Sequence, residues 1–155
     1  MARKLYVAYG SNLNISRMRM RCPGAKIVGT SEIPNHRLMF KGSMTGSYLT
    51  IEPCEGESVP VAVWEISPEH EAALDRYEGF PTFYYKKAMK LPIKSAKSGK
   101  TQVRETFVYI MHEERLYGTP SISYLNICAE GYDAFGFNKE KLLKAARDSG
   151  REAKR

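Results

Sequence analysis

Five consecutive apolar or aromatic residues, Leu5-Tyr6-Val7-Ala8-Tyr9, stop abruptly at Gly10-Ser11-Asn12. The run is too short for a helix, and its β-branched and aromatic side chains predict a buried strand ending in a tight turn. The period then changes. Ile15, Met18 and Cys22 fall on one helical face and Pro23-Gly24 closes the segment, so residues 14–21 predict a short helix. Strand, turn and helix within 24 residues commit the chain to mixed α and β structure.

The remaining segments continue the mixture. Residues 25–33, 36–41 and 48–51 are strand candidates, with a loop over 42–46. Val59–Ile66 (VPVAVWEI) alternates strongly and predicts a strand. Ser67-Pro68-Glu69 opens a helix: Ser67 caps it, Pro68 suits its first position and Glu69 suits the dipole. Gly79 ends that helix. Residues 84–94 and 102–112 predict two long strands joined by the polar loop Ser95–Lys100. Thr119-Pro120 starts a further helix carrying Ile122, Leu125, Cys128, Ala129 and Tyr132, and Asn138 caps a last one with Leu142, Leu143 and Ala146 inward. With neither repeats nor a linker, the order predicts one α+β domain over 1–149. Its expected form is a strongly curved sheet or small mixed β-barrel with surrounding helices, followed by a flexible basic tail over 150–155.

Charge and sparse ligands narrow the function. The net charge is +7, but it is uneven. Residues 1–26 carry six basic groups and no acid, 137–155 carry seven basic and three acidic groups, and the middle is slightly acidic. A basic chain invites a nucleic-acid reading, yet no recognition motif for RNA or DNA accompanies the charge. Arg17, Arg19 and Arg21 follow the first turn and are expected to add a field favouring a small anionic substrate. Three scattered cysteines and three histidines offer no metal-ligand spacing, so no metal or cofactor is expected. No apolar run is long enough to span a bilayer, and unpaired cysteines suit a reducing, cytoplasmic setting.

Two local patterns carry chemistry. Tyr9-Gly10-Ser11-Asn12 reads either as an ordinary strand-to-helix turn or as a nest of backbone N–H groups facing a carboxylate or oxyanion. Glu78 reads either as a solvated surface carboxylate or as a poised general base. At a helix C-terminus among aromatics, its charge is disfavoured and its pKa is raised. Ser98-Gly99-Lys100-Thr101 looks like a phosphate-binding loop, but Lys94 stands where that motif needs glycine and a strand follows where it needs a helix.

Taken together, Tyr6–Leu13, the segment Leu74–Gly79 with Tyr84-Tyr85 after it, and Pro120–Leu125 through Gly131 and Phe137–Ala146 resemble the γ-glutamylcyclotransferase family, whose fold AIG2-like proteins share. The resemblance runs from about Leu5 to Ala146. It implies a small mixed β-barrel with helices outside. It also implies Glu78 as the catalytic glutamate and a substrate-binding stretch over Tyr6, Val7, Ala8, Tyr9, Gly10, Ser11 and Asn12. Tyr124 matches a substrate-contacting tyrosine, and either Tyr84 or Tyr85 matches a tyrosine near the site.

The implied reaction converts a small γ-glutamyl amino acid or amine to 5-oxoproline and a free amine without a cofactor. A γ-glutamyl amidase or hydrolase using Ser11, and a non-catalytic basic binding module, are the alternatives. The implied partner is the small γ-glutamyl substrate, with no nucleic acid or membrane, and a homodimer is possible because relatives are often dimers. Loops 42–47 and 113–121 are expected to build the amine side of the pocket.

Overall fold

A computed structural model describes residues 3–43 and 45–155. The elements are β1 (Lys4–Ala8), a 3-10 turn (Ser11–Leu13), α1 (Ile15–Arg21), β2 (Lys26–Ser43), β3 (Gly46–Ile66), α2 (Pro68–Glu78), β4 (Tyr84–Ser95), β5 (Thr101–Met111), α3 (Ile122–Phe135) and α4 (Glu140–Ala153). The strands close into a barrel in the order β1-β3-β2-β4-β5. Closure comes from a short parallel pairing of β1 with β5, Tyr6 opposite Phe107 and Val7 opposite Val108. All other neighbouring pairs are antiparallel, so the expected small mixed barrel with surrounding helices is what forms.

The chief departure lies in β2 and β3. The four short strands expected before residue 67 are two long ones, paired from Lys26–Glu65 to Ser43–Gly46. Pro34 reads as a breaker in sequence, but it sits at a register shift where an unpaired residue is tolerated. Asn35 takes a positive φ there, and its side chain accepts from the Gly56 N–H at 3.1 Å. Such irregularities bend a strand, which barrel closure requires. The hydrophobic core fills the barrel with Val7, Phe40, Leu49, Val61, Val63 and Met111, and extends under the helices through Leu13, Met18, Leu74, Tyr132 and Leu142.

The helix ends follow their caps. Ser67 accepts from the His70 N–H, and the His70 ring accepts from the Ser67 N–H, so a histidine completes the capping box. Gly79 takes the left-handed conformation (φ 64°) that ends α2. The cap of α3 is Ser121, whose hydroxyl accepts from the Tyr124 N–H, two residues later than Thr119. Asn138 accepts from the Glu140 N–H before α4. That helix runs on through Ala153, past the expected 149/150 boundary. Ion pairs one turn apart link Lys144, Asp148 and Arg151, and the buried Ser149 hydroxyl accepts from the Phe40 N–H on β2.

Helix α3 props the first turn. A Cβ on Gly131 would lie 2.5 Å from the Leu13 carbonyl carbon and 2.7 Å from the Asn14 nitrogen. Asn14 reaches across to the Ile127 carbonyl and the Glu130 carboxylate. Inside a helix, glycine-to-alanine ordinarily stabilises by about 1 kcal/mol. Gly131→Ala is expected to invert that sign and cost about 1–3 kcal/mol, because the added methyl has nowhere to go. Urea denaturation reads the difference, and a neutral or stabilised variant would sink the close packing.

Candidate active site

One end of the barrel opens into a cavity of about 290 Å³. Its floor is β1 and the turn after it. The N–H groups of Gly10, Ser11 and Asn12, at the free end of the 3-10 turn, make no hydrogen bond to the described residues. Glu78, the last residue of α2, lines the same cavity, placed there by the stop at Gly79. The Glu78 residue is part-exposed because the cavity is open, and its carboxyl makes no hydrogen bond within the described protein. Burial of that carboxyl pushes its pKa up to about 8, against the pull of the Arg21 guanidinium. The negative end of α2 acts in the same direction as burial.

Phenols surround the carboxyl. Burial first, and the Glu78 charge second, raise the pKa values of Tyr6, Tyr9 and Tyr84, so these rings stay neutral. Their hydroxyls are committed elsewhere. Tyr84 donates to the Leu49 carbonyl at 2.7 Å, and Tyr124 accepts from the Leu49 N–H at 3.1 Å. Tyr9 donates to the Tyr109 carbonyl at 2.7 Å, and Tyr109 donates to Asp75 at 2.6 Å. Asp75 and Glu71 in turn bind Lys86, which pins α2 to β4. These bonds tie the wall to β3, β5 and α2.

The expected residues sort as follows. Tyr6, Val7, Tyr9, Gly10, Ser11, Asn12, Glu78, Tyr84 and Tyr124 line the cavity. Ala8 does not; it is buried in β1 against the core. Tyr85 does not either, because consecutive strand residues face opposite ways. Its hydroxyl donates to Glu113 on the outside of the barrel, and the choice between the two tyrosines falls on Tyr84. Ser11 bonds the Tyr77 hydroxyl at 3.0 Å, not a histidine or carboxylate. Arg17 and Arg19 face solvent, whereas Arg21 turns inward. Ser43 and Thr45 line the cavity from the β2–β3 turn, but 113–121 only backs that turn, through Leu116 to Gly42 and Gly118 to Phe40.

Sequence reasoning missed Tyr48, Phe83 and Tyr109 as wall residues. Period two places Tyr109 on the same face of β5 as Phe107, but that pattern marks burial, not a site. Arg76 and Tyr77 adjoin Glu78, and that adjacency was the available signal. Among the described residues, no group of three or more His, Cys, Asp or Glu side chains is placed to hold a metal ion, and no helix is long and apolar enough to cross a membrane.

A family model described as gamma-glutamyl cyclotransferase, AIG2-like, matches residues 6–126. A mouse gamma-glutamylcyclotransferase is 28% identical over 151 residues, covering 91% of this chain and 77% of that protein. A bovine gamma-glutamylcyclotransferase is 33% identical over 106 residues, 62% of this chain and 54% of that one. A solved structure described as gamma-glutamyl cyclotransferase aligns with a TM-score of 0.77 at 24% identity, covering 93% of this chain and 86% of that chain, and so shares the fold.

The raised carboxyl has a stability consequence. The folded chain keeps a proton on Glu78 that the unfolded chain has already lost, so this group lowers stability as pH rises from about 4.5 to about 8. Glu78→Gln carries no such dependence. Its Tm relative to the unchanged protein is expected to rise from pH 5 to about pH 8 and level off above that, as read by calorimetry. A constant difference would mean that Glu78 titrates as an exposed carboxylate.

Proposed function

This chain belongs to the gamma-glutamyl cyclotransferase, AIG2-like family, and on that footing we propose that it cyclises the γ-glutamyl group of a small γ-glutamyl amino acid or amine to 5-oxoproline and releases the free amine. The observation that supports this reading is the meeting in one cavity of a carboxyl and the N–H groups of Gly10–Asn12, both without partners among the described residues.

The chemistry needs those two elements. At neutral pH the substrate's α-amine is an ammonium and has no lone pair. Glu78, as carboxylate, takes one proton from it. The freed nitrogen then attacks the γ-carbonyl carbon of the same molecule and closes a five-membered ring. Because the nucleophile is built into the substrate, selecting the cyclising conformer supplies much of the advantage. The carbonyl oxygen becomes an oxyanion, and the turn's N–H groups stabilise it. The ring nitrogen, which still carries two hydrogens after the attack, gives up one of them to solvent. Glu78 returns its proton to the leaving nitrogen, the exocyclic C–N bond breaks, and 5-oxoproline and the amine depart, the amine taking up a proton from solvent at neutral pH. No water is consumed.

A carboxyl with a pKa near 8 suits this two-way transfer, since a base titrating near the working pH both accepts and returns a proton readily. Ser11 fits the alternative of a nucleophilic serine less well, because its hydroxyl is bonded to a phenol that is no general base. The unpaired Cys22, Cys54 and Cys128 support a reducing compartment such as the cytoplasm.

Glu78→Gln is expected to lower 5-oxoproline release by about 10²- to 10⁴-fold, the usual contribution of a positioned acid–base group, while leaving the circular-dichroism spectrum unchanged. Full retained activity would remove Glu78 from the mechanism, and free glutamate as the product would replace cyclisation with hydrolysis. In the unchanged protein kcat/KM should climb with pH and level off above about 8, the point at which the free carboxyl ionises. A flat profile from pH 5 to 9 would contradict the assignment.

A further inference from the structure

Arg21 is the last residue of α1, yet it does not face solvent like Arg17 and Arg19. Its guanidinium carbon lies 3.5 Å from the centroid of the Tyr77 ring. Its Nη1 donates to the side-chain Oδ1 of Asn12, and Asn12 donates from Nδ2 to the Tyr6 hydroxyl at 2.9 Å. Tyr77 passes the contact on, with its hydroxyl 3.0 Å from the Ser11 hydroxyl. One side chain thus connects α1, the substrate turn, β1 and the last turn of α2. It also brings positive charge to Glu78. The other titratable groups whose interaction with Glu78 is felt are phenols: Tyr6 from β1, Tyr9 just after it, Tyr84 from β4, Tyr109 from β5 and Tyr124 from α3. Arg76, on α2 itself, is exposed at the cavity rim, and Tyr77 lies between the two.

We propose that Arg21 is a positioning residue of this site: it locks the Gly10–Asn12 turn to the C-terminal turn of α2 through Asn12 and Tyr77, and it fixes a positive charge beside the Glu78 carboxyl. The two roles have different chemical requirements. Stacking flat on Tyr77 while donating in-plane to Asn12 needs the planar guanidinium fork, and a lysine ammonium cannot do both. The charge alone needs any cation. Arg21→Lys therefore separates the roles, and Arg21→Gln removes both.

The experiment has two arms, and only the second rests on the function proposed above. In the first, the Glu78 carboxyl carbon is titrated by ¹³C NMR, its signal identified by its loss in E78Q. The midpoint is expected to move upward from about 8 in R21Q and to stay near the original value in R21K. In the second, 5-oxoproline release from a γ-glutamyl dipeptide is followed across the same variants. R21K and R21Q are both expected to lose about 10- to 100-fold in kcat, with a smaller change in KM, as for a slightly misplaced catalytic group. Tyr77→Leu removes the stacking partner and keeps the charge, so it should reproduce the R21K pattern and stands in if R21K does not fold. An unmoved Glu78 midpoint in R21Q overturns the electrostatic role, and undiminished kcat in both R21K and Y77L overturns the positioning role. Absence of 5-oxoproline from the unchanged protein sinks the proposed function instead, and the titration still decides the place of Arg21.

Discussion

Strand β1 is paired on both sides, antiparallel to β3 and parallel to β5, and the rest of the molecule depends on that double pairing. Without the β5 contact the sheet is open and the aromatic interior of β5 is exposed. With it, the strand is fixed along its length, so the residues at its end leave the barrel at one place and angle. The 3-10 turn begins there. A turn at the end of a loosely held edge strand would present its N–H groups in many orientations. Here Tyr132 touches the Tyr9 carbonyl, Gly131 packs on Leu13 and Asn14 bonds α3, so the direction of those donors is decided by the core.

The same rigidity explains how a buried carboxyl is tolerated. Glu78 has no bonded partner in the described chain, and burying such a group is unfavourable in either protonation state, most of all when ionised. The surrounding structure offsets this with well-made contacts close by. Lys86 joins Glu71 and Asp75 at 2.6 and 3.0 Å, Tyr109 bonds Asp75, and the Ser67–His70 box holds the start of α2. The helix is thus secured at its start and along its barrel-facing side, while the Glu78 carboxyl at its end has no partner among the described residues. The cost falls at one atom group that chemistry can use, a distribution common at sites where stability and activity compete.

Much of this was legible in the sequence. The run Leu5–Tyr9 with its Gly-Ser-Asn stop, and the Ser-Pro start and glycine stop of α2, are local signals and appear where local rules put them. So does Glu78, because helix termination is itself local. What failed was long-range or polar. Residues 52–58 carry too many charges and turn formers to read as a strand, yet Glu52, Pro53 and Ser58 pair with β2 on either side of the register shift. The tail past 149 joins α4 because Ser149 finds the Phe40 N–H, a contact 109 residues apart. Tyr85 looked as good as Tyr84 until the register at Met111 set which face points inward. Tyr109 carries no motif; only closure of the sheet brings it to the cavity.

The net charge of +7 first suggested a polyanion partner, and the fold redistributes it. Lys86, Lys4, Arg37, Lys144 and Arg151 are spent in ion pairs on the outside of the barrel and on α4, and Arg17 and Arg19 are solvated. Of the three arginines on α1, Arg21 turns toward the site and packs behind its wall against the Tyr77 ring, where its charge is partly shielded from water. Among the described residues, the Glu78 carboxyl and the N–H groups of the turn are left without protein partners at the cavity. The γ-glutamyl group of the proposed substrate carries an ammonium and a carbonyl oxygen a few bonds apart, which would meet both at once.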